Sequence, residues 1–306
     1  MTTSQRQARK MDADREELVE RIARVLPRSG VSQPQPGVHL SRFAHIDDPT
    51  HTVLEPCFCV IAQGAKTLTL GEDVFRYDPA HYAVTTLGLP MVAEIVEASE
   101  RRPYLGLRLT LDPSVVASVI VESQVAQPRR ESGVRALDVS PLDMDLLDAT
   151  VRLMRLVERP DEFRAVAPLV VREIIYRLLA GAQGNRMRQL ASSGGQAHRM
   201  ARAIEKLRAN YDKPLRIESL AKELGMSLSG FHAHFKSVTA MSPLQYQKQI
   251  RLQEARRLMV SENSDAAEAG FRVGYEDASQ FNREYKRHFG EPPMRDVERI
   301  REIAMT

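Results

Sequence analysis

The sequence predicts an α+β chain: a small antiparallel β barrel or sandwich with helices after it, then an all-α region carrying two helix-turn-helix units. Three observations predict this. Between Val38 and Leu111, short apolar runs rich in β-branched residues alternate with Gly and Pro. That rhythm suits antiparallel strands. Beyond Pro113 the apolar period lengthens to that of helices, and near the C-terminus one helical pattern occurs twice. With 306 residues, two domains are expected. The hydrophobic share of 43% and charged share of 27% are those of chains that fold into soluble cores.

Residues 1–34 read as an arm with one short helix, because DREELVERIARVL (14–26) sets Leu18, Ile22, Val25 and Leu26 at helical spacing. Residues 35–180 form the first domain. Its strands are read in FCVIAQG, KTLTLG, VFRYDP, HYAVTTLGLP, MVAEIVEA and YLGLRLTLDP, and its helices in 114–125, 142–157 and 162–180. The apolar residues of the last two helices, among them Leu146, Leu153, Leu156, Ile174, Ile175 and Leu178, are expected to form a subunit interface. The glycine-rich stretch 181–197 (GAQGNRMRQLASSGGQA) reads as a linker. Residues 198–302 form the helical second domain. They hold the basic surplus: residues 198–306 carry 19 Lys and Arg against 15 Asp and Glu, whereas residues 1–197 carry 24 against 25. A phosphate-binding region requires that sign.

The repeat lies at about 217–238 and 265–289. In each copy a short helix ends near a glycine, Gly225 or Gly274, and a turn leads into a longer helix. The second helices divide into an apolar side (Phe231, Phe235, Val238; Ala278, Phe281, Tyr285, Phe289) and a polar or small side. A recognition helix needs that division, since one side buries while the other meets base edges and phosphates. The connecting helix, 243–260, has two apolar stripes: Leu244, Leu252, Ala255, Leu258 and Met259 on one, Tyr246 and Ile250 on the other. It is expected to bridge two lobes.

SPLQYQKQIRLQEARRLM and VGYEDASQFNREYKRHFGEPP resemble the linker helix and second unit of the AraC/XylS family of transcription regulators. PCFCVIAQGAKTLTLGEDVFRYDPAHYAV, followed by ERRPYLGLRLTLDP, is similar to the cupin-like N-terminal domain of one AraC subfamily. The resemblance implies a cupin-like sensor and dimerisation domain over 35–180. It also implies sequence-specific binding of double-stranded DNA, an unknown small-molecule effector, a homodimer, contact with RNA polymerase and action as an activator or repressor. Carried over by position, base contacts fall on Ser229, His232 and Ala233 in the first unit, and on Ser279, Gln280, Asn282 and Arg283 in the second. Ala233 departs from the polar readers common in the family, so the first unit is expected to read fewer bases. Gly270 and Ala240 exchange the family's usual Ala and Gly; Gly270 is expected to cost ~1 kcal/mol of helix stability.

Lys236, Lys286 and Arg287 read as phosphate contacts. Arg283 suits a bidentate contact to guanine, the alternative being a pair with Glu276 or Asp277. The two cysteines, Cys57 and Cys59, read either as a thiol sensor or as small apolar residues of a buried strand. The histidines His39, His45, His51 and His81 lack the spacing of a cupin metal site, so no metal, no cofactor and no enzyme activity are expected. The competing readings are a cupin-type metal enzyme tethered to DNA and a constitutive DNA-binding dimer without effector. No apolar run approaches the ~20 residues of a membrane span, and the polar start lacks an apolar signal core. A cytoplasmic protein with no membrane partner is expected.

Overall fold

The computed structural model describes residues 3–46, 49–123, 135–191 and 195–305. Residues 124–125 of the expected second helix and 192–194 of the expected linker lie outside them. The chain divides into two compact units, the main break falling between His198 and Arg199.

The first unit opens with helix α1 (Thr3–Val25). Strands β1 (Gly30–Gln35), β2 (Val38–Phe43), β3 (Thr50–Leu54), β4 (Cys57–Gln63) and β5 (Ala65–Leu70) follow. Then come β6 (Asp73–Tyr77), β7 (His81–Thr85), β8 (Leu89–Glu97) and β9 (Tyr104–Thr110). Helix α2 (Pro113–Ser123), strand β10 (Leu137–Pro141) and helices α3 (Met144–Val157), α4 (Pro160–Ala180) and α5 (Gly184–Ala191) complete it. The strands form two sheets, one ordered β1-β2-β9-β4-β7-β10 and the other β3-β8-β5-β6. The expected barrel is therefore an open two-sheet sandwich of cupin-like character.

The six-stranded sheet is covered on both faces, which is why β4 (CFCVIAQ) is an almost unbroken apolar run rather than an alternating one. Phe58, Val60, Leu105, Leu107 and Leu109 face a helical layer in which Leu18 and Ile22 of α1, Leu147 and Val151 of α3, and Ile174 and Leu178 of α4 are buried. The opposite face of the same strands looks toward the second sheet.

Several expectations need correction. Helix α1 starts some ten residues before the predicted 14–26, because residues 4–13 contain no helix breaker and are tied down by tertiary pairing: Lys10 Nζ lies 2.6 Å from Asp148. Strands β1 and β10 are the edges of the larger sheet and carry Pro34 and Pro141. Proline is tolerated at an edge because a ladder donor is dispensable there. Their short polar sequences hid them, as did those of β2 and β3. Leu146, Leu153, Leu156, Ile174, Ile175 and Leu178 are buried inside the unit and are not free to form a subunit interface. The outer side of α4 instead exposes Val166, Leu169 and Tyr176.

The linker expectation fails over α5. Met187 is fully buried, Gln183 donates to Ser140 Oγ at 2.6 Å, and Arg186 Nε donates to the Arg135 carbonyl at 2.6 Å. Glycines at 181 and 184 suggested a flexible spacer, but a Cβ at Gly184 would lie 2.4 Å from the Leu179 carbonyl. Glycine there permits a tight reversal of α5 onto α4. Among the described residues no helix is long and apolar enough to cross a membrane.

From residue 195 on, the described chain is all helical: α6 (Gly195–Ala209), α7 (Ile217–Glu223), α8 (Leu228–Thr239), α9 (Pro243–Ser261), α10 (Ala266–Arg272), α11 (Ala278–Phe289) and α12 (Pro293–Met305). Helix α9 starts in a full capping box, Ser242 and Gln245 each binding the other's backbone N–H. Asp296 of α12 is completely buried. Arg256 of α9 grips it bidentately at 2.7 Å for both bonds, Tyr285 Oη donates to it at 2.7 Å and Arg299 at 2.9 Å. Burial disfavours its charge, yet hydrogen bonds from Arg256 and Tyr285 outweigh that and hold its carboxyl below the usual range.

Asp296→Ala leaves the Arg256 guanidinium partly buried without its counter-charge. The expected cost is about 3–5 kcal/mol, read from urea unfolding followed by circular dichroism. The wild-type contribution should be complete above the ordinary carboxylate range and disappear as pH falls through the depressed pKa. The variant should lack that acid-limb dependence.

Candidate nucleic-acid interface

Each helix-turn-helix is built by local chemistry and closed by α9. Helix α7 ends at Leu224, and Gly225 takes φ +65°. Ser227 then caps α8, its side chain accepting from the Gly230 N–H. In the second unit Gly274 takes φ +92°, and Asp277 caps α11 by accepting from Ser279 N–H at 2.7 Å. Side chains other than glycine are strained at such φ values. At Gly274 a Cβ would also lie 2.0 Å from the Asp212 carbonyl oxygen.

The inward sides of α8 and α11 are aromatic. Phe231 and Phe235 of α8 are fully buried, and Phe235 meets Tyr246 of α9 edge-on with ring centres 5.7 Å apart. Phe281 and Tyr285 of α11 are fully buried too, packed with Leu252, Ala255, Leu258 and Met259 of α9. The two expected stripes on α9 are thus present, with one exception. Leu244, in the first turn of α9, is 56% exposed, because the packing partners of its stripe begin a helical turn or two further on.

Gly270 is not simply a weak helix position. A Cβ there would lie 3.0 Å from the Phe281 ring, so glycine lets α11 approach α10 closely. Ala240 ends α8 at φ 61°, in the left-handed region, where alanine carries strain that glycine would not.

The outward sides carry the residues singled out from sequence. Ser229, Ala233 and Lys236 of α8 are exposed and His232 is partly buried; on α11, Ser279, Gln280, Asn282, Arg283, Lys286 and Arg287 are all exposed. Gln280 reaches Glu284 at 3.5 Å. Among the described residues, Arg283 has no ion pair, and Asp277 is engaged as a helix cap instead of pairing with it. The guanidinium is available to a ligand.

One residue that connects both units has no signature in the sequence. Arg251, mid-way along α9, donates through Nε to the Tyr211 carbonyl at 2.5 Å and through Nη2 to that of Lys213 at 3.0 Å, both ahead of α7. Its Nη1 donates to the Gly274 carbonyl at 2.9 Å, in the turn of the second unit. Gln247, one turn earlier, donates to the same Tyr211 and Lys213 carbonyls at 3.1 and 2.8 Å. Only backbone carbonyls are involved, so no side-chain pattern would have revealed the contact. It fixes the two turns relative to one helix.

Cys57 and Cys59 are free, buried and lie on one face of β4, with sulfurs 3.6 Å apart. Their mutual hydrogen bond and burial push the Cys57 thiol up. The same bond, working against burial and aided by nearby Lys66 and Arg108, holds Cys59 below the usual thiol range. Among the described residues no three His, Cys, Asp or Glu side chains gather as metal ligands.

Residues 34–186 match the family described as the AraC-type transcriptional regulator N-terminus, and residues 220–299 match a helix-turn-helix domain. The chain belongs to the AraC-type transcriptional regulators. It is 32% identical over 94 residues to the HTH-type transcriptional regulator AlkR of Acinetobacter baylyi, covering 31% of each chain. To the HTH-type transcriptional activator RhaS of Escherichia fergusonii it is 23% identical over 165 residues, 54% of this chain and 58% of that protein. The match thus spans between about a third and three-fifths of these relatives' length. In fold it is similar to ToxT from Vibrio cholerae, solved with an unsaturated fatty acid bound, at a TM-score of 0.56 and 10% identity over 85% of this chain and 94% of that one.

In this AraC-type regulator, relief of the left-handed strain gives a direct test of the first unit's geometry. Ala240→Gly is expected to raise the stability of the second unit by about 1 kcal/mol, measured as an upward shift in the thermal melt. A neutral or negative result would place Ala240 outside the left-handed region.

Proposed function

We propose that this chain is a sequence-specific, effector-responsive DNA-binding regulator that reads two successive major-groove segments of double-stranded DNA. The observation that carries the reading is the pair of exposed, cation-bearing helices α8 and α11 held on opposite ends of α9. The 19 residues of α9 span roughly 28 Å at ~1.5 Å per residue, near the ~34 Å of one DNA turn. Base contacts are assigned to Ser229, His232, Ala233, Ser279, Gln280, Asn282 and Arg283, and phosphate contacts to Lys236, Lys286 and Arg287. Arg283 is the strongest reader, because it is exposed and unpaired among the described residues. A guanidinium matches the paired acceptors of guanine. The sandwich, with its interior polar groups, is the effector domain, and the fatty acid in ToxT supports a small-molecule role for it. A homodimer, RNA polymerase contact and a cytoplasmic setting complete the reading. The activator RhaS among the relatives supports activation.

Footprinting tests the two-unit reading, using duplexes that the full-length protein selects from a random pool. Two protected stretches about one turn apart are expected. Protection of one short stretch would overturn it. Arg283→Ala should lose ~1–3 kcal/mol on the selected site and relax the preference at one base pair. Lys286→Ala should weaken all sequences alike and lower the salt slope by about one. Competition with single-base variants separates the two, and a uniform loss for both would remove Arg283 from the base readers.

A further inference from the structure

The interior of the sandwich contains two cations, Lys66 and Arg108, that no carboxylate among the described residues neutralises. Arg108 of β9 sits in register with His39 of β2 on one side and Cys59 of β4 on the other; Cys59 in turn faces Ala83 of β7. The neighbouring residues Leu107 and Leu109 belong to the helix-facing core, so this row looks toward the second sheet. Lys66 belongs to that second sheet. It shares a face of β5 with buried Leu68 and Leu70, pairs in register with buried Tyr77, and places its Nζ 5.7 Å from the centre of the buried Tyr104 ring on the first sheet. Tyr104 in turn lies over Gly106, where a Cβ would come within 2.7 Å of the phenol oxygen.

Lys66 and Arg108 are both partly buried, and among the described residues neither has a carboxylate or a hydrogen-bond acceptor as partner. The groups acting electrostatically on Lys66 are Cys59, Cys57 and Arg108, none of them an acid residue. Burial, and the Arg108 charge, push the Lys66 ammonium down from its ordinary value, as expected of a cation awaiting a counter-charge. The Oγ1 of Thr85, a residue in register with Cys57 and buried, also has no hydrogen-bond partner among the described residues. Polar groups shielded from water and lacking partners oppose folding, and a bound ligand would compensate them.

We propose that the sandwich interior binds a small organic carboxylate, held between Lys66 and Arg108 with its apolar body against Tyr77, Leu68 and Tyr104. The flat fork of Arg108 matches a carboxylate, and the aromatic and aliphatic surroundings exclude a small hydrated ion. The inference rests on the sandwich being the effector domain, but it concerns binding and can be tested apart from DNA.

The test titrates the full-length protein with octanoate and benzoate, and with their neutral methyl esters, by calorimetry and thermal melting. At least one carboxylate should bind and raise the melting temperature, and its ester should not. Lys66→Met and Arg108→Met should each weaken binding about 10-fold or more, the loss of one charge-assisted hydrogen bond. Lys66→Arg should retain it, which guards against a misfolded Lys66→Met, and Arg283→Ala should bind the carboxylate as wild type does. Binding that ignores the Lys66 and Arg108 substitutions, or equal response to acid and ester, overturns the proposal. So does indifference to both carboxylates. If the carboxylate binds at Lys66 and Arg108 while the DNA footprint is unchanged, the site stands and the effector reading falls.

Discussion

A helix-turn-helix of two short helices cannot bury enough apolar surface to stand alone, and α9 solves that for both units at once. One face of α9 takes the aromatic side of α8 through Tyr246, and the other takes α10, α11 and α12 through Leu252, Ala255, Leu258 and Met259. Sharing one rigid element turns two weak lobes into a single body and sets the spacing of the two exposed helices. The polar contacts reinforce this. Arg256 and Tyr285 converge on Asp296 to lock α9, α11 and α12, while Arg251 ties the turn of the second unit to the chain ahead of the first. Hydrogen bonds to buried charges are among the stronger ones available, so these clamps limit how far the recognition helices can tilt.

A comparable division of labour holds in the sandwich. The helical layer of α1, α3 and α4 supplies the apolar core on one face of the larger sheet, which frees the other face from having to be wholly apolar. His39, Arg108, Cys59 and Thr85 occupy that freed face. A domain that needed both faces for stability would carry valine and leucine at those positions. The polar residues of the larger sheet thus gather on the side away from the main core.

Much of the second unit was legible in the sequence, because helical period, turn glycines and capping residues are local signals. Ser227, Asp277, Gly225 and Gly274 each act through neighbours a few residues away. The division of α8 and α11 into apolar and polar sides follows from the spacing of their residues, and it left the candidate contact residues exposed, with His232 partly buried. Leu244 misled because a stripe says which residues share a side, not where along the helix a partner is present. Gly270 misled similarly: its worth lies in the approach of Phe281, a residue on another helix.

By itself the sequence determined the division into a strand-rich part and a helical part, the repeat, the family resemblance and the polar faces of the two repeated helices, since each is written in spacings of a few residues. Only the tertiary structure decided that the barrel is an open sandwich, that α5 packs where a linker was expected, and that the leucines of α3 and α4 are core. It alone brought Lys66 near Arg108 and Cys59, and Arg251 onto carbonyls 23 and 40 residues away in the chain. Charge balance in an interior and contacts to backbone oxygens depend on which segments meet in space. No local pattern encodes that meeting.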